Sequence, residues 1–255
     1  MEKLLTEIVQ LKNEKKYTEA IKKAKSGFKK YKDNCFNNEM YDCYIKQNKR
    51  KEAIKVLKQM LKYEPDDIII CKRLAYNYFV LAKYEEALKY YKLVIELEPL
   101  SSQNYFNAGS IYHYLNNVKK AYDYYYTALR LNPSNISALN NIGILYYENK
   151  NWDKAIETFN SIISKFPAHP EAYHHMGIIF REYNKDFELS ELYIKKAIRL
   201  DPEYAENYYQ LALTQYFENK IKDSILNLDK CLKLSPRHIL SINLMKNIRN
   251  KFYKE

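Results

Sequence analysis

Three histidines that lie close together in the sequence, His169, His174 and His175, come nearest to the composition of a metal site. A structural zinc needs four ligands in a closed arrangement, and these histidines have no further ligand at a suitable spacing and no cysteine nearby. The paired acids Asp66–Asp67 and Glu85–Glu86 could act as general acids and bases, but they fall at predicted helix starts, where carboxylates interact favourably with the helix dipole. The sequence therefore predicts no catalytic residue and no metal site.

The sequence also lacks the phosphate-binding and nucleophile motifs GxxxxGK[ST], GxGxxG and GxSxG. Its four cysteines show no CxxC spacing, which favours free thiols in a reducing cytoplasm. Charges interrupt the apolar residues of the N-terminal MEKLLTEIVQLKNEKK, so no signal peptide is expected, and no apolar run is long enough for a membrane span. We expect a non-catalytic, cytoplasmic protein without a cofactor.

The composition favours helices, and the charge is distributed unevenly along the chain. Only 4 Gly and 7 Pro occur in 255 residues, too few for the many tight turns of an all-β fold. The formal net charge is +11, and residues 1–64 alone hold 17 Lys and Arg against 9 Asp and Glu. A basic N-terminal quarter can attract nucleic acid, anionic lipid or acidic protein, although it can equally serve as a solvated, solubilising surface.

Prolines recur along the chain at a nearly constant interval. Six of them are spaced by 34, 34, 34, 35 and 34 residues: Pro65, Pro99, Pro133, Pro167, Pro202 and Pro236. A small residue stands twelve positions before each one: Ala53, Ala87, Ala121, Ala155, Ser190 and Ser224. An aromatic residue stands near the twenty-first position before five of them: Tyr44, Tyr78, Tyr112, Tyr146 and Phe180. Small residues let two helices approach closely beside such aromatics, and a proline ends the second helix, so each period predicts a helical hairpin.

At these residues the chain resembles the tetratricopeptide repeat family, whose repeat is a helix–turn–helix of 34 residues with this pattern. The resemblance implies an all-α, right-handed α-solenoid of about seven repeats with a C-terminal capping helix. It predicts a single solenoid over residues 1–255, divided into a degenerate first repeat at 1–33, repeats at 34–67, 68–101, 102–135, 136–169, 170–204 and 205–238, and a capping helix at 239–255. The one extra residue of the period, between Glu182 and Phe187, is expected in the turn between two helices.

In this family the first helix of each hairpin lines a concave groove, so the resemblance also implies which residues face a bound partner. One position holds a polar residue in five successive repeats: Arg73, Asn107, Asn141, His175 and Gln210. Neighbouring positions add seven further groove residues: Lys72, Tyr76, Phe79, Asn140, Tyr147, Arg181 and Tyr216. We expect the amides to pair with the backbone of a bound segment, the cations to meet acidic groups and the aromatics to supply apolar contact.

Two binding patterns known in the family are only partly matched. Lys72 and Asn107 fit part of the clamp that holds the C-terminal carboxylate of heat-shock chaperones, but Tyr76 stands where that clamp has a second asparagine. A carboxylate prefers charge-assisted donors, so the clamp is incomplete. The asparagine ladder of the O-linked N-acetylglucosamine transferase repeats is matched by Asn107 and Asn141 alone.

The resemblance favours a monomeric scaffold or adaptor that binds a peptide segment or helix of another protein in the groove. The alternative is a nucleic-acid-binding helical repeat, since basic residues combined with exposed aromatics are typical of single-strand binders. Membrane attachment through the basic N-terminal hairpin and self-association through the last helix remain open as well.

Overall fold

The computed structural model describes residues 1–252, and that range folds into fifteen α-helices without a β-strand. The helices are α1 (Glu2–Asn13), α2 (Tyr17–Tyr31), α3 (Asn34–Lys46), α4 (Arg50–Leu61), α5 (Ile68–Val80), α6 (Tyr84–Leu97), α7 (Ser102–Tyr114), α8 (Val118–Leu131), α9 (Ile136–Glu148), α10 (Trp152–Lys165), α11 (Pro170–Ile179), α12 (Phe187–Leu200), α13 (Ala205–Phe217), α14 (Ile221–Leu234) and α15 (Ile239–Phe252). The prediction of an all-α repeat protein is confirmed.

Consecutive helices pack in pairs, from α1 with α2 to α13 with α14. The contacts divide the chain into two compact units, Met1–Pro133 and Ser134–Glu255. The first unit holds four helix pairs, and the second holds three pairs and α15. Within each unit, the second helix of a pair also packs on the first helix of the next pair. The division of the chain into individual repeats stays a prediction.

Close approach of the paired helices depends on residues without bulky side chains. A Cβ atom added to Gly109 in α7 would lie 2.8 Å from the ring of Tyr125 in α8, so the ring occupies the space that any larger residue would need. Tyr125 is itself fully buried, as are Ala108 and Ala121 beside it in the pair. Such packing stabilises the pair by about 25 cal/mol for each Å² of apolar surface that it buries, and it holds each first helix against its second.

Capping residues fix where the first helices begin. The Asp67 side chain accepts a hydrogen bond of 2.8 Å from the backbone N–H of Ile70 at the start of α5. At the start of α9, the side chain of Asn135 accepts one of 3.0 Å from the backbone N–H of Ala138. Glu85 and Glu86 lie in the first turn of α6. The paired acids of the sequence therefore lie at helix starts, where N-cap hydrogen bonds and the helix dipole stabilise them.

The extra residue of the repeat predicted at 170–204 is placed differently from the prediction. Instead of lengthening the turn, it widens the end of α11 into a π-helical turn over Phe180–Asn184, and the short connection follows at Lys185 and Asp186. A π-turn absorbs one residue while keeping the backbone hydrogen-bonded, so the helix continues for five more residues before it ends. The π-turn also carries Arg181 into the protein interior.

The last helix, α15, packs against α13 and α14 and buries Leu244, Met245 and Ile248. The apolar residues near its start, Ile239, Leu240 and Ile242, are exposed. The predicted capping helix over 239–255 is thus seen up to residue 252, and residues 253–255 lie outside the described range.

Candidate functional site

The first helices of the first unit lie side by side and share one surface. Arg73 of α5 donates a hydrogen bond of 2.7 Å from Nη1 to Oδ1 of Asn38 in α3. On the other side of α5, the ring of Phe79 meets the ring of Tyr114 in α7 edge-on, with centroids 5.2 Å apart. Side chains on the outer sides of α3, α5 and α7 can therefore contact one ligand.

The centre of this surface is a stripe along α5, which we call the α5 stripe, formed by Ile69, Arg73, Tyr76 and Val80. These residues are separated by four, three and four positions, so they share one side of the helix. Ile69 is 62% exposed, Tyr76 52% and Val80 43%, whereas Ile70, Cys71 and Leu74 of the same helix form its buried side. Ile69, Tyr76 and Val80 thus form apolar surface that the core of the unit does not cover.

Polar side chains flank the α5 stripe on both neighbouring helices. The same register, one repeat earlier and later, holds Cys35, Glu39, Asp42 and Lys46 on α3, and Gln103, Asn107, Ser110 and Tyr114 on α7. We call the α5 stripe and these two sets the first-unit face. Lys12 of α1 bonds the carboxylates of Glu39 at 2.6 Å and Asp42 at 3.2 Å. On α7, Gln103 Nε2 donates to Asn107 Oδ1 at 2.9 Å.

The structure places the predicted first-unit residues in two settings. Arg73, Tyr76 and Asn107 lie on the first-unit face. Lys72 turns toward the end of α6 and forms an ion pair with Glu98, which, together with the amide of Asn104, holds the pKa of that carboxyl below its usual value. Phe79 packs half-buried between aromatic rings.

In the second unit, two of the predicted residues belong to an internal network. Arg181 is only 4% exposed, and its guanidinium donates to the Gln210 carbonyl oxygen at 3.3 Å, to Thr214 Oγ1 at 3.4 Å and to Glu182 Oε1 at 3.3 Å. Tyr147 donates from its hydroxyl to the other oxygen of Glu182 at 2.8 Å. Burial, followed by this hydrogen bond, raises the pKa of Tyr147. These side chains join α9, the π-turn and α13.

His174 and His175 of the second unit are also packed against neighbouring side chains. His175 stacks on Phe159 with ring centroids 5.0 Å apart, and His174 Nδ1 lies 2.7 Å from Asn207 Oδ1. Burial, reinforced by the neighbouring His174, lowers the pKa of His175 to about 3. His175 is therefore neutral at physiological pH and offers no charge to a ligand.

The remaining predicted residues of the second unit are half-exposed: Asn140, Asn141, Gln210 and Tyr216. Oδ1 of Asn140 and Oε1 of Gln210 are buried atoms without a hydrogen-bond partner within residues 1–252. Gln210 Nε2 donates to Glu206 at 2.7 Å, and Lys251 Nζ lies 5.8 Å from the ring centroid of Tyr216.

The sequence reasoning missed Ile69, Val80 and Tyr114 of the first-unit face. Tyr114 is 61% exposed although it contacts Phe79. A signal for the first two was present in the composition of α5, IIICKRLAYNYFV, which contains more apolar residues than one buried side of a helix can accommodate.

Within residues 1–252, no three His, Cys, Asp or Glu side chains converge in a way that would hold a metal ion. All four cysteines are free, and burial raises the pKa of Cys43 to about 11, so its sulfur is a thiol at neutral pH. Nor does any helix in this range combine the length and apolarity that crossing a bilayer requires.

Sequence models described as "Tetratricopeptide repeat" match four segments of this chain. One model matches residues 44–108 and 114–176, and a second matches residues 170–204 and 205–238. No curated protein sequence matches the chain.

Many solved structures share this architecture at low sequence identity. A tetratricopeptide repeat protein from Parabacteroides merdae is 19% identical with a TM-score of 0.78, and the match covers 98% of each chain. The pilF protein of Pseudomonas aeruginosa is 19% identical with a TM-score of 0.63 over 72% of this chain and 84% of its own. YrrB, described as a TPR protein with an unusual peptide-binding site, is 19% identical with a TM-score of 0.51 over 74% of this chain and 97% of its own.

Proposed function

Because the chain belongs to the tetratricopeptide repeat family, we propose that it is a non-catalytic adaptor that binds a segment of another protein on the first-unit face. Tetratricopeptide repeats generally mediate protein–protein interactions. YrrB, a protein with a similar fold, is described as having a peptide-binding site, which supports a peptide as the class of ligand.

The α5 stripe is the observation that carries this proposal. Three large apolar side chains in register on a central helix expose surface that water solvates poorly, and such exposed patches mark interaction sites. A partner segment with apolar side chains would cover Ile69, Tyr76 and Val80. Truncating a central aromatic residue of an interface costs about 2 kcal/mol or more, so Tyr76 is the main anchor of the proposed site.

Polar groups around the α5 stripe would set the direction and the charge of the bound segment. Among residues 1–252, the guanidinium of Arg73 is hydrogen-bonded only to the neutral amide of Asn38, and it stacks on Tyr41 at 4.8 Å from the ring centroid. Its charge is therefore available to a carboxylate of the partner. Asn107, on the neighbouring helix, offers an amide to the partner's backbone. Both roles follow the pattern of a mixed apolar and polar interface.

The predicted residues of the second unit take different roles in this proposal. Tyr147, His175 and Arg181 position α9, α11 and α13 relative to one another, because Tyr147 and Arg181 are hydrogen-bonded and His175 is stacked inside that unit. Asn140, Asn141, Gln210 and Tyr216 remain proposed contacts for a partner. The cytoplasmic location and the monomeric state of the protein also stay predictions, the first supported by the four free thiols.

Affinity capture from nuclease-treated native lysate tests the proposal with matched variants. We expect the Ile69→Ser/Tyr76→Ser variant to lose a partner that the wild type retains, by about tenfold or more in amount captured. The control is Leu100→Ser/Tyr126→Ser, which removes two exposed apolar side chains of the same unit outside the face. Equal capture by all three proteins would refute the proposed site. A partner that the wild type captures from untreated lysate but not after nuclease treatment would favour the nucleic-acid alternative.

A further inference from the structure

A cleft of about 550 Å³ opens in the second unit between α12 and α14, above α13. Its lining combines apolar and basic side chains: Leu192, Lys195, Ile198, Arg199, Tyr208, Leu211, Asn227 and Lys230. The cleft lies wholly within the second unit and shares no residue with the first-unit face. Its volume falls in the range of typical ligand sites.

At one position beside the cleft, α14 carries a residue smaller than the ring that α8 and α12 carry, whereas α10 carries Thr158 there. In α8 the residue at this register is Tyr124, and its ring centroid lies 6.0 Å from the ring centroid of Tyr105. In α12 it is Tyr193, with its ring 6.2 Å from that of Tyr173. The counterpart in α14 is Asn227.

Asn227 turns away from the ring that it would otherwise cover. Its Nδ2 donates to Gln215 Oε1 at 2.9 Å, and no second ring of residues 1–252 packs on Tyr208, the counterpart of Tyr105 and Tyr173. The floor is formed by Ile198 and Tyr208, which α14 leaves half-exposed, and by Leu211, which is buried.

The charge of the cleft has one sign. Three lining residues are cations and none is an acid. Lys195 is paired with Glu191 at 2.6 Å, but Arg199 and Lys230 have no ion-pair partner within residues 1–252. Lys230 Nζ lies 5.8 Å from the centroid of the Tyr208 ring, at the edge of the apolar floor.

We propose that this cleft binds an acidic amphipathic segment of a partner protein, with one or two apolar side chains on the floor and carboxylates at Arg199 and Lys230. Charge complementarity favours an acidic ligand, because an apolar floor lies beside Arg199 and Lys230, which have no ion-pair partner within residues 1–252. The length of the cleft favours a segment over a compact small molecule. Leu192, Lys195 and Arg199 follow one another at i, i+3 and i+7 along α12, a rise of about 10 Å, or two turns of a bound helix.

A capped twelve-residue peptide tests this site, with leucines at helical spacing and Asp or Glu at all other positions. Its binding to the full chain is measured by fluorescence anisotropy. We expect Arg199→Glu/Lys230→Glu to weaken binding by about tenfold or more. The matched control Lys222→Glu/Lys233→Glu reverses two exposed lysines outside the cleft on α14, and we expect it to bind within about twofold of the wild type.

A second variant tests the shape of the cleft. Asn227→Tyr introduces the residue that α8 and α12 carry at this register, and we expect the new ring to cover Tyr208 and abolish binding. Circular dichroism of each variant confirms its fold. If Asn227→Tyr does not fold, the two charge variants decide the question.

The proposal is overturned if the peptide does not bind, if both charge-reversal pairs weaken binding equally, or if a version of the peptide with Lys in place of every acid binds as tightly. Tighter binding of a single-stranded oligonucleotide at the same residues would also overturn it. None of these outcomes bears on the first-unit face, whose residues are unchanged in every variant.

Discussion

Gly143 in α9 lies so close to α10 that an added Cβ would be 2.7 Å from the Cζ atom of Phe159. The backbone at Gly143 is ordinary helix, and none of the chain's glycines has a positive φ. The glycine is needed for the space taken by the ring of Phe159, which is fully buried and also supports the imidazole of His175.

We expect Gly143→Ala to lower the free energy of unfolding by about 1–3 kcal/mol, because overpacking outweighs the gain in helix propensity. Chemical denaturation measures the effect. The control Ser137→Ala, at an exposed position of the same helix, should change stability by less than about 0.5 kcal/mol. Combining Gly143→Ala with Phe159→Leu should cost less than the sum of the two single changes. If the two changes lower stability additively, the ring of Phe159 does not limit the approach of α9 to α10.

His175 gives the protein a pH dependence that its composition alone would not reveal. Its pKa in the folded protein is lowered to about 3, against an ordinary value of 6.5, so the unfolded chain binds the proton more readily. The contribution of the neutral ring is therefore present above pH 6.5 and is lost as the pH falls from there toward 3. Between pH 8 and pH 5 the wild type should lose about 2 kcal/mol more stability than His175→Gln, as measured by urea unfolding at each pH. Parallel pH profiles would mean that the imidazole is accessible to protons in the folded state.

At the scale of the element, every helix pair turns through one residue in the left-handed conformation. The positions recur with the repeat and are occupied by Lys15, Asn48, Ala82, Asn116, Lys150, Lys185 and Asn219. This conformation is costly for residues with a Cβ, least so for Asn, yet none of the four glycines of the chain is used here.

Replacing Ala82 by glycine should therefore stabilise the protein. At a φ of 53°, the Cβ of Ala82 is strained, and we expect Ala82→Gly to raise the free energy of unfolding by about 1 kcal/mol. Asn116→Gly, at the same place in the next pair and a φ of 55°, should change stability by less than about 0.5 kcal/mol, because Asn tolerates this conformation. Thermal and urea unfolding of the two variants provide the comparison. A destabilising effect of Ala82→Gly would contradict the strain argument.

The helices were predictable because their signals are local and repeated. Pro99 and Pro133 follow second helices, and Gly109 meets an aromatic ring as the spacing implied. The extra residue near Glu182 was not placed correctly, since a longer turn and a π-turn shift the later sequence by the same single residue.

The site was less predictable than the helices. The repeat register brought Arg73, Tyr76 and Asn107 to one face, but it could not show that Arg181 is buried. The burial of Arg181 depends on Gln210 and Thr214 of the next pair, which lie about 30 positions away. The exposure of a side chain depends on which neighbouring helices cover it, and the periodicity of a single sequence does not show this.

At the scale of the whole molecule, the two compact units present different surfaces. The first unit carries the apolar α5 stripe and most of the net charge, and the second carries the basic cleft above α13. In the first unit Lys12 and Lys23 are paired with carboxylates of neighbouring helices, while the lysines on the outer sides of α2 and α4, such as Lys25 and Lys55, are exposed. Two ligand chemistries on two units are compatible with an adaptor that binds more than one segment.

The most direct test of the central claim is site-specific photo-crosslinking from the α5 stripe in native lysate. Tyr76 is replaced by the photoreactive residue p-benzoylphenylalanine, and the control carries the same replacement at Tyr126, an exposed tyrosine of α8 in the same unit. We predict that irradiation joins a partner protein to the chain from position 76 and not from position 126. Equal crosslinking from both positions, or crosslinking from position 126 alone, would contradict the claim that the first-unit face is where this protein binds its partner.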